Sequence, residues 1–117
     1  MNFEKFPGIY ELVKLQSGPM GKEEDEPVQR SMFTFTPQKT LAVVSASVKS
    51  VMAYAGDYKI ENEILLISVK SCVYREMENT EIKRKILKFD GQTLVLEAIG
   101  AATKERAVLT WSKSIQL

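Results

Sequence analysis

The stretch MAYAGDYKIENEILLIS, residues 52–68, decides how this chain folds. Tyr54 and Tyr58 flank Gly56 four residues apart, so in an extended strand both rings point to one face. Gly56-Asp57-Tyr58-Lys59-Ile60 reads as extended, Glu61-Asn62-Glu63 as a polar turn, and Ile64 to Val69 as the returning strand. Two short apolar runs around a turn make a hairpin, and the flanking sequence repeats the pattern.

Upstream, Gly8 to Leu15 is a first strand, with Tyr10, Leu12 and Lys14 on one face and Ile9, Glu11 and Val13 on the other. Gln16 to Pro27 is rich in Gly, Pro and acid and is expected to be a mobile loop. Arg30 to Thr36 alternates, Pro37-Gln38-Lys39 is a short connection, and Thr40 to Val48 is β-branched and small. Lys49 to Tyr54 is expected to be a short helical turn or an irregular crossing. Downstream, Ser71 to Thr80 reads as a helical turn or a ragged strand end. Glu81 to Phe89 is a strand, and Asp90-Gly91 suits the left-handed angles of a tight hairpin. Thr93 to Ala98 returns, Gly100 to Lys104 turns, and Arg106 to Lys113 ends the series.

Eight strands joined by short turns predict an all-β fold, a single eight-stranded antiparallel up-and-down barrel over residues 1–117. A barrel of about eight strands has an interior that holds one small ligand.

Composition narrows the chemistry. With 44% hydrophobic and 26% charged residues the chain is an ordinary globular sequence, and a net charge of +1 gives no global pull toward nucleic acid or anionic membrane. No run approaches the ~20 apolar residues of a membrane span. One cysteine, Cys72, forms no internal disulfide, which fits a reducing compartment and a soluble, cytoplasmic protein. The chain has no histidine, which excludes Ser-His-Asp and Cys-His catalysis and histidine-ligated haem or zinc. No glycine-rich phosphate cradle occurs. The expectation is no cofactor and no metal.

Several segments together carry a resemblance. Pro7-Gly8-Ile9-Tyr10-Glu11-Leu12-Val13 opens the chain, Tyr54-Ala55-Gly56-Asp57-Tyr58 stands in the middle, and Lys83-Arg84-Lys85 precedes Asp90-Gly91-Gln92-Thr93-Leu94-Val95-Leu96. Leu109-Thr110-Trp111-Ser112-Lys113 closes it. In this order, over nearly the whole length, the set resembles the small bacterial lipocalin-like domains, β-barrels of the calycin type. The resemblance implies carriers, proteins of unassigned role, or relatives that fold reactive intermediates in biosynthesis. Tyr10 stands where that family carries tryptophan, and Lys113 where it carries arginine. The pair is expected to make a cation–π contact across the closed end of the barrel, weaker than tryptophan with arginine.

Tyr10, Phe33, Phe35, Tyr54, Tyr58, Arg84, Glu97 and Trp111 are the candidate ligand-binding residues. The tyrosines read either as core aromatics with hydroxyls at the rim or as phenols donating into a pocket. Arg84 lies between Ile82 and Ile86; inward, it requires an anionic partner such as a ligand carboxylate, Glu97 or Glu11, and outward it is solvated. Lys83, Lys85, Leu87 and Phe89 form the opposite face, so periodicity leaves both orientations open. Glu11, between Ile9 and Val13, is the better inward acid, whereas Glu97 faces water by the simple alternation. Ser45, Ser47, Thr34 and Thr36 are candidate polar lining, and Met32, Met52 and Met77 suit an adaptable wall or plain core filling.

Three functions fit. The first is a barrel binding a small lipophilic molecule, with no nucleic-acid partner and a homodimer as a compatible assembly. The second is a cofactor-independent cyclase or isomerase using the same pocket, with Glu11, Tyr58 and Arg84 as catalytic candidates. The third is a protein-interaction module whose barrel is filled by its own side chains, with Gly100 to Lys104 or the acidic loop as contact surface.

Overall fold

The computed structural model describes residues 1–27, 30–46, 51–99 and 105–117. Nine strands follow in chain order: β1 (Gly8–Pro19), β2 (Glu24–Glu26), β3 (Arg30–Phe35), β4 (Thr40–Ala46), β5 (Val51–Glu61), β6 (Ile64–Cys72), β7 (Glu81–Phe89), β8 (Thr93–Ile99) and β9 (Glu105–Gln116). A 3-10 turn, Arg75–Met77, lies between β6 and β7. From β3 to β9 each strand pairs antiparallel with the next, and β1 pairs with β9 from Gly8↔Gln116 to Pro19↔Glu105, closing the sheet. β2 and β3 face successive parts of β1: Leu15 to Ser17 lie opposite Glu26 to Glu24, and Gly8 to Glu11 opposite Phe35 to Met32. They are two pieces of one stave, so the barrel has eight staves in the expected up-and-down order. Among the described residues no helix is long and apolar enough to cross a membrane.

The turns follow from local chemistry. Asn62 and Glu63 both take positive φ, 52° and 62°, the pattern of a two-residue hairpin whose twist matches its strands. At the β7–β8 turn Gly91 has φ 93°, and the Asp90 carboxylate accepts the amides of Gln92 at 2.9 Å and Thr93 at 2.7 Å. An aspartate that satisfies two turn amides explains why Asp-Gly marks this hairpin.

Two expectations need correction. Residues 51–54 form neither a helical turn nor an irregular crossing but the first part of β5, where Val51 to Tyr54 pair with Ala46 to Val43. Their alternating side chains leave a sheet as the better partner for the backbone; residues 47–50 lie outside the described set. The stretch from Gln16 to Pro27 is not wholly loop. β1 continues to Pro19 because β9 offers a ladder along its whole length, and Ser17 Oγ donates to Glu26 at 2.8 Å across the β1–β2 pair.

Bulges set which side chains face inward. A register shift between Ile86 and Lys88 lets Ile86 and Phe89 both enter the core, although they are three residues apart. β1 shifts between Leu12 and Lys14, so Leu12 and Leu15 share the inner face. A third shift lies between Ala55 and Gly56 of β5. There a Cβ on Gly56 would overlap the Ser68 carbonyl oxygen, so close strand approach demands glycine.

The core is densest at one end of the barrel. Phe6, before β1, is 1% exposed and seals that end. Its ring centroid lies 4.8 Å from Phe35, 5.4 Å from Phe89 and 5.8 Å from Tyr58. The Tyr10 hydroxyl donates to the Phe6 carbonyl at 2.6 Å. Lys113 Nζ stands 5.4 Å from the Tyr10 ring centre and 5.5 Å from that of Phe89, and donates to the Lys5 carbonyl and to Gln116 Oε1. Tyrosine and lysine thus make the cation–π contact expected of them, and burial, then Lys5, holds the Lys113 ammonium below the usual lysine range.

Candidate functional site

The other end of the barrel contains a cavity of about 290 Å³. The strands run from the plugged end to this one, so one residue on each inner face marks the change. On β3 Phe35 belongs to the plug and Phe33 and Ser31 to the cavity; on β5 Tyr58 belongs to the plug and Tyr54 and Met52 to the cavity. On β7 Phe89 meets Phe6, while Arg84 and Ile82 line the cavity. Leu15, Val43, Leu96 and Leu109 add apolar wall, and Met77 reaches in from the 3-10 turn. Trp111 and Phe33, edge to face at 5.0 Å and 70°, stand in the wall on the plug side.

Arg84 faces inward because β7 places Ile82, Arg84 and Ile86 on one face before its bulge, leaving Lys83 and Lys85 exposed. Its Nη1 donates to the Lys83 carbonyl at 2.9 Å, and no described lining residue is a carboxylate. Burial lowers the proton affinity of the guanidinium, and Tyr54 partly restores it. An arginine remains charged under such a shift. Tyr54 lies close enough to interact: burial raises its phenol above the usual range, Arg84 pulls it down, and Cys72 pushes it up. Trp111 is 2% exposed, and its indole N–H has no acceptor among the described residues. The polar wall therefore offers the guanidinium and the indole N–H, which only donate, with the Tyr54 and Ser31 hydroxyls, which both donate and accept.

Of the residues singled out in the sequence, the cavity brings together Phe33, Tyr54, Arg84 and Trp111, with Ser45, Met52 and Met77. Tyr10, Phe35 and Tyr58 fill the closed end, and the Tyr58 hydroxyl is committed to the Thr36 carbonyl at 3.0 Å. Glu11 does not point inward. It is exposed, because Tyr10 and Leu12 take the inner positions of β1. Glu97 also lies outside, bonded at 3.1 Å to Arg106, which reaches Glu23 at 2.9 Å. Met32 is exposed, while Ser47 and Gly100 to Lys104 lie outside the described residues. Leu15, Ser31 and Leu109 were not marked as lining by sequence. Leu15 is displaced from the simple alternation by the β1 bulge, and Ser31 carries no apolar signal.

No family model matches the chain, and no curated protein matches it. Among solved structures, it is similar to an uncharacterised protein from Bacteroides eggerthii, with a TM-score of 0.56 and 14% identity over 89% of this chain and 97% of that one. At that identity the likeness is one of fold.

Proposed function

We propose that this protein is a lipocalin-like barrel that binds a small lipophilic molecule in the cavity bounded by Phe33, Tyr54, Arg84 and Trp111. The observation that carries this reading is the asymmetry of the barrel interior. One end is packed by Phe6 and its aromatic neighbours, while the other retains about 290 Å³ of mostly apolar space, close to the lower end of ordinary ligand pockets, ~300 Å³. A barrel serving only as a protein-interaction module would gain stability by filling that volume with its own side chains.

Binding is favoured over turnover by a cyclase or isomerase. Of Glu11, Tyr58 and Arg84, only Arg84 reaches the cavity, and no described lining residue carries a carboxyl group. A reducing, cytoplasmic setting agrees with one half-buried cysteine.

The test is native mass spectrometry of freshly purified protein before and after organic extraction, backed by a panel of apolar ligands titrated against Trp111 fluorescence. The expected result is an extractable added mass whose molecule rebinds and perturbs Trp111. A bare protein mass together with no fluorescence response across the panel would refute the reading.

A further inference from the structure

We propose that the cavity seats the head group of a lipophilic carboxylic acid on the Arg84 guanidinium, with the Tyr54 hydroxyl as a second donor. This rests on the reading of the cavity as a lipophilic binding site and names the class of molecule it takes. Arg84 stands in an apolar wall between Ile82 and Ile86, and its bond to the neighbouring Lys83 carbonyl leaves most of its donor fork unused. None of the ion pairs formed among the described residues includes it. Arg84 is half-buried, and a partly desolvated cation without a counter-ion carries a cost that an anion entering the cavity removes. The Tyr54 phenol has no hydrogen-bond partner among the described residues and lies within electrostatic reach of Arg84.

The chemistry selects further. Arg84 is the sole cation among the described lining residues, so a monoanion balances it and a dianionic phosphate leaves charge uncompensated. The planar guanidinium fork matches the two oxygens of a carboxylate. The volume, about ten waters at ~30 Å³ each, suits a medium-chain or compact ring acid better than a long-chain lipid. Trp111, the single tryptophan, sits in the wall and reports occupancy directly.

The experiment compares decanoate with 1-decanol at neutral pH, followed by Trp111 fluorescence and, for the single indole N–H, by nitrogen-15 correlation spectra. The two ligands share a tail and differ in the charged head. Decanoate is expected to bind at least about tenfold more tightly to the wild type. In Arg84→Met the ratio of the two affinities is expected to fall close to one, and Tyr54→Phe to reduce it in part. Equal wild-type affinities, or a preference for the acid that survives Arg84→Met, would overturn the anion subsite and leave the lipophilic pocket standing. Failure of both ligands to bind would overturn the subsite and the pocket reading together. The wild-type comparison decides even if a variant fails to fold.

Discussion

Replacing Phe6 with alanine tests whether the segment before β1 is part of the barrel core. Phe6 is 1% exposed and contacts rings from β1, β3, β5 and β7, with centroids from 4.8 Å to Phe35 up to 6.2 Å to Tyr10. Truncating a buried phenylalanine costs about 3–5 kcal/mol through lost transfer energy and the cavity left behind. The ring-to-ring contacts lie within that figure and do not add independently. Single domains have a total stability of about 5–15 kcal/mol, so Phe6→Ala should remove a large share of it. Phe6→Leu keeps most of the volume and should cost about 1–2 kcal/mol. Tyr10→Phe is a separate probe. It removes the donor of the 2.6 Å bond to the Phe6 carbonyl and should cost about 1–3 kcal/mol. Denaturant unfolding followed by Trp111 fluorescence and circular dichroism gives these values as midpoint shifts at constant slope. A loss below about 1 kcal/mol for Phe6→Ala would show that the segment does not seal the barrel.

Gly56→Ala should destabilise by at least about 2 kcal/mol, because its Cβ meets the Ser68 main chain, which cannot move without opening the β5–β6 ladder; thermal unfolding measures it. Alkali should weaken the fold. Burial pushes the Tyr58 phenol up to about 12 and Tyr10 higher still, so the stability they carry is complete below the ordinary tyrosine value of 10.0 and is lost as pH rises through the folded values. Denaturant midpoints at pH 9 and pH 11.5 should differ, with Tyr58 contributing at most about 2 kcal/mol over that interval, and phenolate absorbance should lag in the folded protein. Arg106→Met should free the β1–β2 hairpin, tethered through Glu23, from β9 while leaving the core intact, seen as faster hydrogen exchange at Glu24 to Glu26 with little change in global unfolding. Unchanged exchange would mean that the ladder to β1 alone holds that hairpin.

Much of the architecture was legible before folding because hairpins are local. Asp90-Gly91 and the turn at Asn62-Glu63 carry their own backbone chemistry, and short alternating runs between such turns leave few topologies besides a meander. The candidate site was harder to read. Arg84 and Leu87 lie on opposite sides of a simple alternation, and both sides contain apolar residues, so the pattern could not orient β7. Glu11 shared a face with Ile9 and Val13, two apolar neighbours that proved to be half-buried and exposed. In each case inward or outward orientation depends on register against a partner strand, and register is a property of the pair.

By itself, then, the sequence determined the hairpins at Asn62-Glu63 and Asp90-Gly91 and the eight staves with their order, since each depends on residues near one another in the chain, and its composition ruled out histidine-based chemistry. Tertiary structure alone decided the bulges that turn Leu15 and Phe89 inward and the placing of Phe6 among rings from four strands. It also decided the division of the interior into an end packed by Phe6 and its neighbours and an end that holds the cavity. Those features arise where distant segments compete for the same interior space, and no window of local sequence contains that competition.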